Sequence, residues 1–175
     1  VALAQKDLLD SGPTREKVLP LLYRPFDIRY TYYTGRSGGF ICRPRADIMR
    51  HILAQENVAL VTCRQLASLP WCHAMVSQIA TDNCAVSNRT RERGYIFPLY
   101  LYSDADRRDL FSHLETAERH PNLNPQIVAA LTAAHGRGPT PEAIFHYVYA
   151  VLYAPTYRAR YAGFLRLDFP RIPLT

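Results

Sequence analysis

The hydrophobic residues change their spacing once along this chain, near Ser103, and that change restricts the fold more than any other feature. Before it, apolar residues come in short β-branched or aromatic runs bounded by Pro, Gly and polar residues, which is the pattern of strands. After it they recur at helical spacing, behind an Asn-Pro and a Thr-Pro pair that have the form of helix starts. Strands followed by helices, rather than alternating with them, define an α+β fold. A strand-rich half over residues 1–103 and a helical subdomain over 104–175 packed on it are the expected parts. At 175 residues the chain suits one domain with a real core, or a domain with a small helical annex.

Within the first half, Tyr23 to Tyr33 (YRPFDIRYTYY) is the most aromatic and basic stretch. Pro25 forbids a helix through it and extends Arg24. Alternation puts Phe26, Ile28, Tyr30 and Tyr32 on an apolar face and Asp27, Arg29, Thr31 and Tyr33 on a face free to meet a partner. Upstream, Lys6 to Leu22 reads as short helical pieces with Ser11 and Thr14 as caps and Pro20 as the stop. Downstream, Thr34 to Phe40 forms a turn or exposed loop, Phe40 to Arg43 restarts an extended segment, and Pro44 opens a helix with Ile48, Ile52 and Leu53 inward and Arg45 and Arg50 outward. The GRSGG run is not a dinucleotide-binding fingerprint. Val58 to Cys63 is a buried strand ending at Arg64 and Gln65, His73 to Ile79 is a second apolar piece, and Asp82 to Val86 a further short strand. Ser87 to Arg93 is a basic loop leading into the strongest strand signal, Tyr95 to Tyr102, where Pro98 implies an edge or a bulge.

In the second half, one helix runs from Asn124 and Pro125 to Gly136, and another starts at Thr140 and Pro141. Ile144, Phe145, Val148, Tyr149 and Leu152 form its apolar stripe. Pro155 breaks it, and Tyr157, Tyr161, Phe164 and Leu165 lead a final helix. Helical spacing accounts for every member of that stripe as core packing.

The net charge of +6 is modest, but it is concentrated. From Arg24 to Arg93 there are ten arginines against five acids, and Lys6 and Lys17 are the only lysines of the chain. Arginine presents a forked donor set that matches phosphates and guanine edges, so this half suits nucleic acid, while a basic solvated face accounts for the count equally well. The four cysteines are widely separated and suit reduced thiols in a cytoplasm. A zinc site from Cys63, Cys72, His73 and Cys84 has none of the usual short spacings and is not expected, and Cys72 beside His73 is poor geometry for a thiolate–base pair. No apolar run approaches the roughly 20 residues of a membrane span. The chain opens at Val1, without a signal-peptide pattern, and reads as an excised piece of a longer protein.

Taken in order, YRPFDIRYTYY, PRADIMRHIL, NVALVTCRQ, GYIFPLYLY and PEAIFHYVYAVLYAPTYRARYAGFLRLDFPRIP resemble the carboxy-terminal specificity region of Type ISP restriction-modification enzymes and related adenine-N6 DNA methyltransferases. The resemblance spans nearly the whole chain. It implies a target recognition domain that binds double-stranded DNA, sits behind a methyltransferase domain of the same polypeptide, and has S-adenosylmethionine bound elsewhere in that polypeptide. The Asn-Pro-Pro-aromatic tetrad is missing, Asn124-Pro125 continuing with Gln126, and so are a glycine-rich methyl-donor loop, a Walker A run and a nuclease-type acidic cluster ending in Lys. No catalytic residue, metal ligand or cofactor is therefore assigned to this piece.

Two further readings stay open: part of a flipped-base pocket built against a neighbouring methyltransferase, or a protein-interaction module. For the leading one, Arg64 and Gln65 are the expected base readers, held rigid by the strand they end. Ser87, Asn88, Arg89, Arg91 and Arg93 are expected on phosphates. Arg24, Arg29, Arg43 and Arg45 suit either task, with Tyr30, Tyr32 and Tyr33 packing against them.

Overall fold

A computed structural model describes residues 1–53, 56–67, 70–89, 91–103 and 118–173. The fold is α+β, with three small sheets and helices on both sides of the central one. Helix α1 (Ala2–Ser11) and a 3-10 turn (Arg15–Lys17) precede a hairpin of β1 (Val18–Arg24) and β2 (Asp27–Tyr32). Helix α2 (Ala46–Leu53) follows, then β3 (Ala59–Cys63), β4 (Ala74–Ser77) and β5 (Ala80–Thr81). The chain continues through β6 (Gly94–Pro98), β7 (Tyr100–Tyr102) and β8 (Arg119–Pro121) into α3 (Pro125–His135), α4 (Pro141–Tyr153), α5 (Pro155–Arg160) and α6 (Ala162–Leu165).

The central sheet has the order β4-β3-β6, all antiparallel. Its middle strand takes up Ala59–Cys63 of the VALVTC run, and Ala59, Val61, Thr62 and Cys63 are buried because strands lie on both sides and cores on both faces. One core joins Cys63, Leu66, Trp71 and Ala74 to Leu152, Tyr157 and Leu165 of the last helices. A second core sets Met49 of α2 against Tyr33 and Ala80, with Ile96 at its border. Burial pushes the Tyr33 hydroxyl and the Cys63 thiol each up to about 12, so both stay protonated and act as packing groups.

The second sheet, β2-β1-β5, is joined to the first by the segment after Ala80, which pairs with β1 in parallel and then reaches β6. Asn57 locks the remaining junction. Its amide donates to His51 O and Tyr100 O at 2.8 Å each, and its carbonyl accepts from Val58 N and Tyr100 N, so α2, β3 and β7 share one fully bonded buried side chain.

Several local expectations are corrected. Val18 to Leu22 is strand rather than helix, because Leu19, Leu21 and Leu22 pack as the inner residues of a paired strand and Pro20 is accommodated within it. Ser11 closes α1 rather than capping a start, with its hydroxyl on Leu8 O and Tyr32 Oη, and Thr14 makes no side-chain cap. Phe40 to Arg43 and Asp82 to Val86 are bends and turns, the latter closed by Cys84 N donating to the Asp82 carboxylate. The Tyr95 to Tyr102 run is divided: Pro98 ends β6 at the sheet edge and Leu99 carries the chain into a separate ladder of β7 with β8. Residues 104–117, where helical periodicity was expected to begin, lie outside the described residues, and β8 beyond them is a strand. The final helix is two short ones, since Tyr161 leaves helical geometry between them.

The helix signals of the second half hold. Asn124 accepts from Gln126 N, Thr140 accepts from Ala143 N, and Gly136 takes the left-handed conformation that ends α3. Leu152, fully buried between α4 and the central sheet, is where the two halves depend on each other. Leu152→Ala is expected to cost about 2–5 kcal/mol of unfolding free energy, measured by urea denaturation.

Candidate nucleic-acid interface

Strand register places most of the candidate residues at one end of the central sheet. Cys63 pairs with Gly94, so Arg64 and Gln65, which follow one strand, and Arg93, which precedes the other, leave the sheet side by side. Thr62 pairs with Ala74, which brings His73 to the same end. The second sheet delivers Arg24 there as well. Asp82 N donates to Leu22 O, Arg24 Nη1 meets Asp82 Oδ1 at 3.2 Å, and Gly94 N donates to Asn83 O at 2.7 Å. The turn at Asp82 and Asn83 is therefore the clasp between the hairpin and the basic loop. Arg43 and Arg45 are elsewhere. Tyr33, at the opposite end of the hairpin, holds the Pro44 carbonyl, so this pair sits where β1 begins, away from the Arg24 turn.

The basic loop is organised by an acid that sequence reasoning counted only as a charge. Glu92 is 1% exposed. Its carboxylate accepts from Ala67 N at 2.8 Å and from the Ser87 hydroxyl at 2.5 Å, and lies 3.2 Å from His73 Nε2. Cys72 N donates to His73 Nδ1, which leaves the ring proton on Nε2, pointing to Glu92. One buried carboxylate thus ties the segment after β3, the residue before β4 and both ends of the loop. Its alternation with Arg91 and Arg93 was the available signal: with Glu92 turned inward, Asn88, Arg89, Arg91 and Arg93 are all exposed. Ser87 spends its hydroxyl on Glu92, so it holds the loop, and Thr90 lies outside the described residues.

Arg64 is exposed and gives Nε to Asp168 at 2.9 Å. The Phe169 backbone N–H and the Arg64 guanidinium hold the Asp168 carboxyl below its ordinary range, so the contact is an ion pair at neutral pH. An exposed pair of this kind stabilises a fold by only about 0.2–1 kcal/mol. Its geometric effect is larger, because it uses one donor and leaves the two terminal nitrogens of the fork without a protein partner among the described residues. Gln65 beside it is exposed. In the hairpin, Arg24 and Arg29 cover the same Tyr23 ring, with guanidinium carbons 4.0 and 3.9 Å from its centre. Arg29 also pairs with Asp27 at 3.0 Å. The tyrosine that packs against these arginines is therefore Tyr23. Tyr30 is exposed, whereas Tyr32 and Tyr33 are buried.

Among the described residues no three of His, Cys, Asp and Glu gather as metal ligands, and the four cysteines are free. What the described residues bring together at this end of the sheet is a set of exposed arginines and polar side chains, carried on strand ends and on a loop tied down by Glu92. The chain belongs to the Type ISP C-terminal specificity domain family, whose profile matches residues 2–175. It is also similar to a chain in a cryo-electron-microscopy structure of a DrdV–DNA complex, with a TM-score of 0.71 and 25% identity. The overlap covers 99% of this chain and 16% of that one, so this chain spans about a sixth of its structural relative's length. No curated protein sequence matches it.

Because Glu92 is buried with three donors, its removal leaves Ala67 N–H and His73 unsatisfied. Glu92→Ala is expected to cost about 3 kcal/mol or more, whereas neighbouring Arg91→Ala changes stability by less than about 0.5 kcal/mol. Chemical denaturation of the two variants side by side checks this.

Proposed function

We propose that this chain is the target recognition module of a restriction-modification polypeptide, reading double-stranded DNA with the surface at the end of the central sheet. The observation that carries the reading is the convergence of Arg24, Arg64, Gln65 and the Arg89–Arg93 loop on one surface. Membership of a specificity-domain family and likeness to a chain in a DNA complex support it. The rest of the proposal concerns the parent protein: an adenine-specific methyltransferase domain on the same polypeptide, using S-adenosylmethionine, in the cytoplasm. No helix among the described residues is long and apolar enough to cross a membrane. The strand-rich half, residues 1–103, meets the duplex in this reading, and helices α3 to α6 back it.

The work divides by how firmly each arginine is held. Arg64, fixed by Asp168, and Gln65 face base edges, where a bidentate contact to guanine or adenine needs a defined direction. Arg89, Arg91 and Arg93 neutralise phosphates, and Arg43 and Arg45, at the other end of the hairpin, extend that contact along the duplex. Arg24 and Arg29, stacked on Tyr23, contribute through the hairpin.

Arg64→Ala is expected to lose about 1–3 kcal/mol on the preferred duplex and to relax preference at one base pair. Arg91→Ala weakens preferred and random duplexes alike and lowers the logarithmic salt slope by about one unit. Competition binding across single-base variants of a duplex enriched from a random pool measures both. Equal losses for Arg64→Ala on every sequence would remove it from the readout set, and absence of any enriched duplex would remove the function.

A further inference from the structure

The β1–β2 hairpin turns at Pro25 and Phe26, between the register partners Arg24 and Asp27. Two-residue hairpin loops favour turns whose first central residue has positive φ, which Pro25 cannot adopt. The positive φ falls instead on Phe26, at 63°, a conformation for which glycine is the unstrained choice. The ladder shifts register between Leu22 and Arg24, as expected for a turn that does not match the strand twist. Phe26 is also 100% exposed, and the apolar line continues along the outer face of β2 with Ile28 at 58% and Tyr30 at 74%. The sequence expectation that this face is the buried one is thus reversed from Tyr30 outward; only Tyr32, covered by Phe40 and α1, is inside. A bulky aromatic at this position costs stability in its backbone and gains none from burial.

Its neighbours suggest what it meets. Arg24 and Arg29 lie on either side of the turn, both held against Tyr23 and both ion-paired, and Asp82, the partner of Arg24, is the clasp to the basic loop. The hairpin tip is therefore mechanically joined to the surface that carries the reading arginines. A fully exposed phenyl ring on a stiff support beside guanidinium groups is the arrangement of an apolar wedge, which enters between base pairs and unstacks them while arginines hold the flanking phosphates.

We propose that Phe26 is such a wedge: it inserts at a base-pair step of the bound duplex and unstacks it, so that the protein selects DNA for ease of deformation as well as for base edges. This rests on the reading of the chain as a DNA recognition module. Ile28 and Tyr30 follow the ring along the groove wall.

The test uses the full-length polypeptide and a duplex enriched from a random pool, with 2-aminopurine placed at successive positions. Wild-type protein is expected to raise fluorescence at one step only. Phe26→Ala should abolish that rise and weaken binding by roughly 5- to 150-fold, the range set by loss of base–aromatic stacking. Phe26→Leu, still an apolar wedge, should keep part of the signal, and Phe26→Gly should lose it while leaving the DNA-free protein at least as heat-stable as wild type. An unchanged fluorescence pattern and affinity in Phe26→Ala would overturn the wedge while leaving the recognition function standing. A drop in melting temperature of DNA-free Phe26→Ala and Phe26→Gly alike would also overturn it, because the ring would then be packed on another part of the polypeptide. Failure to enrich any duplex strikes at the recognition function itself and is thereby distinguishable.

Discussion

A single buried carboxylate holds the candidate interface together. Glu92 sits near the end of the most basic loop of the chain, between Arg91 and Arg93, yet its side chain is turned into the protein. Burying a carboxylate is expensive unless donors surround it, and here Ala67 N–H, the Ser87 hydroxyl and His73 supply them. Each donor comes from a different segment, so satisfying one charge fixes three pieces of chain relative to one another. The arginines on either side are exposed as a consequence. A loop of Arg, Arg and Arg alone would repel itself; a buried acid between Arg91 and Arg93 anchors it, and the positive charges beside it are held at the surface.

The helical half has a comparable role at longer range. After α6 the chain turns back to the sheet. Leu66 N donates to Arg166 O, Asp168 takes Arg64, and the Phe169 ring stands edge-on to both Tyr95 and Phe97 of β6, with centres 5.0 and 5.6 Å away. The strand end that carries Arg64 and Gln65 is therefore braced by residues about a hundred positions later in sequence. Leu152, Tyr157 and Leu165 anchor that brace in the same core as Cys63 and Trp71. The helices position the polar end of the sheet through this core, which explains why their apolar residues are so numerous for so short a segment.

Much of this was legible in the residues where local chemistry decides the outcome. Asn124-Pro125, Thr140-Pro141 and Gly136 marked the helix boundaries because caps and left-handed stops depend on adjacent backbone alone. The buried strand Ala59–Cys63 was legible for a similar reason, its polar end following from where the β-branched run stops. The failures are tertiary. Alternation placed Phe26, Ile28 and Tyr30 on one face correctly, but which face meets the core depends on what packs beside the hairpin, and α1 covers only the Tyr32 end. Asn57 and Glu92 carried no motif, since a satisfied buried polar group is defined by partners 25 or 43 residues distant. Proline at position 20 suggested a helix stop, whereas it is tolerated in a strand whose pairing leaves it no unmet hydrogen bond to make.

The pattern of pairing among the arginines carries a final physical consequence. Arg24, Arg29 and Arg64 each have a carboxylate at 2.9–3.2 Å, while Arg43, Arg45, Arg89, Arg91 and Arg93 have no ion pair among the described residues. A paired arginine contributes little net charge, so it adds little to the phosphate-driven attraction that any sequence would enjoy. It is, however, already oriented, and much of its rotamer entropy is lost before a ligand arrives. The arginines without an ion pair have the opposite properties: they keep their full charge and no carboxylate orients them. Sequence discrimination requires low attraction to wrong sites and a fixed geometry at the right one, and on the proposed function Asp27, Asp82 and Asp168 would favour both at the arginines they pair with. On the function proposed above, removing these acids would raise net charge by one unit each and strengthen attraction to any duplex while loosening the arginines they orient, so that affinity and specificity would move in opposite directions.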